Sequence, residues 1–202
     1  MIIHDIAQAS ESWFQLRLGI PTASRFSDIV TSKGNPSKSA DKYMDLLLAE
    51  YLAGQPFDME ETTHWMKRGN ELEPEARKWY EFRKDTEVKQ VGFIMEDHGR
   101  YGGSPDGLVG EKGILEIKCV KHNTMVNCYR GRHHKKYTQQ VQGNLWLAER
   151  AYCDFVAYNP VMKTFMTRIQ RDDEFIVKLK REVLRFCAVL KKQKEKLKSW
   201  KV

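Results

Sequence analysis

Residues 103–119 restrict this chain more than any other stretch: Gly103-Ser104-Pro105-Asp106-Gly107-Leu108-Val109-Gly110-Glu111-Lys112-Gly113-Ile114-Leu115-Glu116-Ile117-Lys118-Cys119. Side chains alternate along a strand, so Leu115, Ile117 and Cys119 point one way while Glu116 and Lys118 point the other. The apolar set requires a core, and two charged residues share the opposite face. Gly110 to Gly113 reads as a four-residue hairpin loop, which sets Val109 opposite Ile114, Gly107 opposite Glu116 and Asp106 opposite Ile117. Asp106 and Glu116 then become diagonal neighbours. Two carboxylates that close repel unless a cation lies between them, and oxygen donors of this kind suit Mg²⁺ or Mn²⁺. Pro105 at the strand entrance loses no needed hydrogen bond, and Gly107 leaves space above the carboxylates. Spacing alone is equally satisfied by a surface hairpin with solvated charges; the rest of the chain separates the two.

Hydrophobic periodicity supplies the surroundings. Ser39 is placed to cap a helix over 41–53, where Tyr43, Met44, Leu47, Leu48, Tyr51 and Leu52 recur at helical spacing and Gly54 offers a stop. A helical pattern from about Thr63 to Phe82 contains Pro74, which predicts a kink, or a break with Pro74 in the first turn of a second helix. Val88 to Ile94, Leu108 to Val109 and Ile114 to Val120 read as strands. After a basic connection, 134–149 reads as helix, and strands at 152–158 and 164–170 flank an Asn159-Pro160 turn. A basic C-terminal helix begins at about 172, with Phe175, Ile176, Leu179, Val183, Phe186 and Leu190 on one face. No repeat or linker interrupts residues 1–202, so the chain reads as a single α/β (α+β) domain.

Composition excludes several classes. With 41% hydrophobic residues the chain can bury a core. No run approaches the ~18 apolar residues of a membrane span, and Met1–Asp5 lacks the pattern of a secretory signal; both predict a cytoplasmic protein. Cys119, Cys128, Cys153 and Cys187 have no zinc-site spacing and read as reduced thiols. Gly34-Asn35-Pro36-Ser37-Lys38-Ser39 superficially resembles a phosphate loop but lacks its second glycine, so no ATP is implied. The net charge of +7 divides unevenly, −4 over residues 1–100 and +11 over 101–202. A one-sided surplus suits a polyanionic partner. From Lys118 to Lys136 there are six Lys or Arg, three His (His122, His133 and His134) and no acid, and part of that run suits DNA phosphates.

Pro105-Asp106 with Glu116-Ile117-Lys118 resembles the signature of the PD-(D/E)xK nucleases. The wider set resembles the lambda-type phage exonucleases, or YqaJ-type viral recombinases. It comprises Trp13 through Arg17-Leu18-Gly19, Thr22-Ala23-Ser24, Gly69 through Glu73 to Ala76-Arg77, Ser104 to Gly107, Leu115 to Cys119, and Gln140-Val141-Gln142, in family order from residue 13 to about 146. The resemblance implies a restriction-endonuclease-like core with a central mixed β-sheet flanked by helices. It also implies that Asp106, Glu116 and the carbonyl of Ile117 hold metal, with Glu73 as the additional acid. Lys118 then activates or only orients the attacking water, two roles the sequence leaves open. Gln140 is the contribution of the following helix; Gln142 lies about 200° away on a helix, so at most one of them faces the site. Arg17, Ser24 and Ser104 match positions that hold a DNA 5′-phosphate, a task suited to a guanidinium that pairs two oxygens and hydroxyls that donate to others.

The activity implied by the resemblance is that of an Mg²⁺-dependent 5′-to-3′ exonuclease on double-stranded DNA ends, releasing 5′-mononucleotides and leaving 3′ overhangs for recombination. Two ions ~4 Å apart would serve, with Mn²⁺ substituting. A ring-shaped homotrimer, a single-strand annealing protein as partner, and a phage or prophage origin are implied with it. An endonuclease of restriction or junction-resolving type shares the catalytic hairpin, whereas the end-binding trio favours the exonuclease. A non-catalytic DNA-binding protein would not require the carboxylate pair.

Overall fold

The computed structural model describes residues 1–57, 64–132 and 134–201. Thr63, the expected start of a helix, and His133, in the basic run, lie outside the described residues. Strand β1 (Ile2–His4) and the short helices α1 (Glu11–Arg17) and α2 (Phe26–Ile29) precede α3 (Ala40–Ala53) and α4 (His64–Lys84). Strands β2 (Val88–Lys89), β3 (Phe93–Met95), β4 (Gly102–Gly103), β5 (Gly107–Val109) and β6 (Gly113–Cys119) come next. The chain then forms α5 (His122–Tyr129), α6 (Thr138–Leu147), β7 (Tyr152–Tyr158), β8 (Phe165–Gln170) and α7 (Asp173–Leu197).

Five strands form one mixed sheet in the order β2-β5-β6-β7-β8, in which β6 and β7 run parallel and the other pairs antiparallel. On one face Leu115 and Ile117 pack with Ala76 and Tyr80 of α4 and with Val156 and Tyr158 of β7. On the other, Ile114, Cys153, Phe155 and Ala157 meet Val141 and Leu145 of α6 and the larger core. Both faces are therefore covered, and burying apolar surface at about 25 cal/mol per Å² holds the layers together. A small second sheet, β1-β3-β4, packs beside it.

Most expected elements are present. The helix over 40–53 ends at Gly54, whose φ of 67° is the left-handed stop that glycine accommodates, although the Ser39 side chain makes no capping bond. Asp172 caps α7, accepting from the Phe175 amide, and the six apolar residues read for its inner face are all buried.

Of the two readings at Pro74 the break is absent, since helix α4 runs through it. Four other expectations are corrected. Val88–Ile94 is not one strand: β2 joins the central sheet and β3 the small one. Gly92 separates them, with a would-be Cβ only 2.1 Å from the Ile6 carbonyl. The basic connection contains a helix, α5. The hairpin register is one residue off, since Val109 pairs with Gly113, Leu108 with Ile114 and Gly107 with Leu115. Gly110 adopts φ 53° and turns the chain in three residues, while Gly113 belongs to the strand, paired with Val109 and Tyr152, whose ring fills the space of its missing side chain. Gly107 likewise leaves no open space, because Val88 Cγ1 lies 2.2 Å from where its Cβ would stand.

Candidate active site

Strand β5 begins at Gly107, opposite Leu115, whereas β6 runs on to Cys119, and this mismatch builds the site. Beyond the end of β5, the amide of Ile117 has no ladder partner from that strand and donates instead to Asp106 Oδ2 at 2.5 Å. The carbonyl of Ile117 points to the same edge, because the N–H and C=O of one strand residue face the same neighbour. Glu116, on the α6 side, is fully buried. Lys118 Nζ and Gln140 Nε2 both lie 2.5 Å from its Oε1, and Asn144 Nδ2 lies 3.4 Å from its Oε2. Lys118 is 25% exposed and its ammonium sits 5.1 Å from the centre of the Tyr137 ring. From α4, Glu73 faces the same space and is paired with Arg77, one helical turn on.

Three carboxylates thus share one region with few cations. Burial raises Glu73 to about 7, and the neighbouring Asp106 adds to the shift. Burial also raises Glu116 to about 7 despite the ammonium of Lys118, and raises Asp106 despite Lys118 and the Ile117 amide. Burial alone would lower Lys118, but Glu116 and Asp106 outweigh it and hold the amine above its ordinary range. Among the described residues no three His, Cys, Asp or Glu side chains stand as a ready ligand cluster. The donor set nonetheless fits a hard divalent cation, because it consists of carboxylate and carbonyl oxygens whose mutual repulsion such an ion relieves.

A cleft of about 350 Å³ lies at this edge, lined by Glu73, Asp106, Ile117 and Lys118 and also by Arg17, Ser24 and Ser104. The Arg17 guanidinium stacks 3.9 Å from the centre of the Trp13 ring. Ser24 and Thr22 hydroxyls lie 3.1 Å apart. Ser104 donates to the Gly92 carbonyl at 2.7 Å and accepts from Trp13 Nε1 at 2.9 Å, so its proton is already engaged.

Every site residue the sequence singled out thus lies in or directly behind one cleft. The structure separates the two glutamines: Gln142 donates to the Gln170 carbonyl and accepts from the Asp172 amide, tying α6 to β8 and α7, while Gln140 reaches Glu116. The reading of the sequence missed Asn144, although its i+4 spacing from Gln140 places it on the same helix face. Tyr137 carries no motif, and only its position above Lys118 marks it.

The YqaJ-like viral recombinase domain model matches residues 12–151. The chain belongs to that family. An alkaline exonuclease from Laribacter hongkongensis, LHK-Exo, is 37% identical over 94% of this chain and 97% of its own, with a TM-score of 0.84. A structure of LHK-Exo in complex with dAMP matches equally well. A phage-related exonuclease from Haemophilus somnus 129PT shares the fold, with a TM-score of 0.70 and 18% identity over 88% of this chain and 96% of that one. A comparison with curated proteins gives no match. The family's fold, like the sheet described here, is restriction-endonuclease-like. Among the described residues no helix is long and apolar enough to cross a membrane.

Proposed function

We propose that this protein is a divalent-metal-dependent exonuclease that degrades the 5′-ended strand of duplex DNA from its ends, releasing 5′-mononucleotides and leaving 3′ overhangs. The observation that carries this reading is the single cleft lined by Glu73, Asp106, the Ile117 edge and Lys118 together with Arg17, Ser24 and Ser104, with Glu116 buried beside Lys118. The relatives support it, one named an alkaline exonuclease and the same enzyme recorded with a mononucleotide.

Asp106, Glu116 and the Ile117 carbonyl would hold the cation, with Glu73 as a further acid; Mg²⁺ is the natural occupant and Mn²⁺ a substitute. When bound, such ions polarise a phosphoryl oxygen and lower the pKa of a coordinated water. Lys118, 2.5 Å from Glu116, is placed to orient or activate the attacking water and to offset charge growing on the phosphate. Gln140 keeps Glu116 turned toward the cleft. Arg17 and Ser24 receive the terminal phosphate, and Ser104 joins them by moving its proton off the Gly92 carbonyl. Release of mononucleotides requires the scissile bond to lie one nucleotide from that 5′ end.

Linear duplexes labelled at either 5′ or 3′ ends, with closed circular DNA as control, test the reading. Release of 5′-labelled mononucleotides before any 3′ label is expected, with circles left intact; efficient cutting of circles would make the protein an endonuclease. Arg17→Ala should chiefly erase the preference for 5′-phosphorylated over 5′-hydroxyl ends. From family membership we further infer a trimeric ring around DNA, a single-strand annealing protein as partner and a phage or prophage source. A closed ring keeps the local DNA concentration high and makes degradation processive, and sedimentation as a monomer at working concentration would remove it.

A further inference from the structure

We propose that the C-terminal end of α7 is a single-strand DNA binding element that holds the strand hydrolysis leaves behind, an inference that rests on the exonuclease reading. The apolar stripe of α7 stops at Leu190, and residues 191–201 then carry six lysines against one acid, Glu195. Lys191, Lys192, Lys196, Lys198 and Lys201 are exposed, and among them stands Trp200 with 75% of its surface in solvent. This segment is tied down: Lys194 Nζ donates to the Gly19 carbonyl at 2.7 Å, and Lys194 and Lys201 lie 5.0 and 4.7 Å from the centre of the Tyr51 ring of α3. Those contacts bring the lysine-rich end to Gly19, two residues along the chain from Arg17, which lines the cleft.

The direction of the substrate gives that location a meaning. With the 5′-phosphate at Arg17 and the scissile bond at Asp106 and Glu116, the strand being degraded continues from the metal end, away from Arg17. Beyond Arg17 the complementary strand has lost its partner, so the nucleic acid there is single-stranded. Its bases are free to stack, and an exposed indole ringed by lysines suits them: the ring takes a base face while the ammoniums follow the phosphates. A duplex buries its base faces and leaves the indole nothing to stack on. A merely solvated helix end would need the lysines but not the tryptophan.

Fluorescence anisotropy of a labelled oligothymidylate and of a hairpin-capped duplex, both in EDTA to stop hydrolysis, tests this. Trp200→Ala should weaken oligothymidylate binding about 5- to 150-fold, the effect of losing one stacked base, and change duplex binding less than about twofold. Replacing Lys196 and Lys198 together by glutamine should reduce the slope of log affinity against log salt by about 1.4. Because Trp200 is exposed, an unchanged melting temperature is expected and shows that the variant is folded. Unchanged oligothymidylate affinity in Trp200→Ala overturns the proposal, and an equal loss on duplex overturns it by marking a duplex surface. A protein that binds oligothymidylate through Trp200 yet leaves linear duplex intact would instead remove the exonuclease reading alone.

Discussion

Gly103→Ala tests the packing on which the catalytic geometry depends. Gly103 lies in β4 directly beneath α6, and a Cβ added there would meet Asn144 Oδ1 at 2.5 Å, Leu147 Cδ1 at 2.8 Å and Ala23 Cβ at 2.9 Å. Ordinary carbon contacts are about 3.5–4.0 Å, so all three are short by roughly 1 Å, and they come from two separate segments. No single rotamer relieves them. The least costly response is for α6 to lift from β4, and overpacking of this kind costs about 1–3 kcal/mol. The same helix carries Gln140 and Asn144, which contact Glu116. A shift of ~1 Å there would misplace Glu116 and is expected to lower turnover by about 10²-fold. Urea denaturation should show the stability loss with an unchanged m-value, and thermal unfolding a fall of roughly 2–4 °C per kcal/mol. Single-turnover hydrolysis of end-labelled duplex should show the second effect. Wild-type stability and turnover together would refute the close packing of α6 on β4.

The two glutamines should part company. Gln140→Leu is expected to lose most hydrolysis with little change in stability, whereas Gln142→Leu strands the Gln170 carbonyl and the Asp172 amide and should cost about 1–3 kcal/mol per unsatisfied group; parallel turnover and urea measurements check both. Lys118→Ala should retain DNA binding in EDTA but lose most hydrolysis, and unchanged kcat would remove the ammonium from the mechanism. Away from the cleft, the buried Asp154 accepts from Arg168 twice, at 2.8 Å each, and from Tyr80 at 2.7 Å. Burial opposes its charge, but Arg168 and Tyr80 outweigh burial and hold the carboxyl below its ordinary range. A depressed folded-state pKa stabilises above the unfolded value near 4 and loses that contribution as pH falls through the folded value. The stability gap between wild type and Arg168→Ala should therefore be largest at neutral pH and close below about pH 4; urea titrations at several pH values measure it.

Much of the architecture was legible in the residue pattern because local physics decided it. The apolar stripe of α7, the strand over 152–158 and the glycine stop of α3 each follow from periodicity or a single φ, and none depends on a distant neighbour. Where the outcome required a partner from elsewhere in the chain, the pattern was insufficient. Val88–Ile94 has one strand's composition, but the approach of Ile6 at Gly92 divides it between two sheets. At the hairpin Gly113 pairs with Val109, and the ring of Tyr152, far along the chain, fills the space where a side chain at Gly113 would stand.

The sequence by itself singled out the candidate site residues: Asp106, Glu116 and Lys118 by residue type and spacing, and Glu73, Arg17, Ser24 and Ser104 through the family resemblance. Tertiary structure alone decided their surroundings. It buried Glu116 between Lys118, Gln140 and Asn144, and brought Gln140 rather than Gln142 to Glu116. It also engaged the proton of Ser104 at Gly92. The reason is physical: a residue's identity is local, but its protonation and hydrogen bonding depend on how much water is excluded and which charges approach, and both are set by segments distant in sequence.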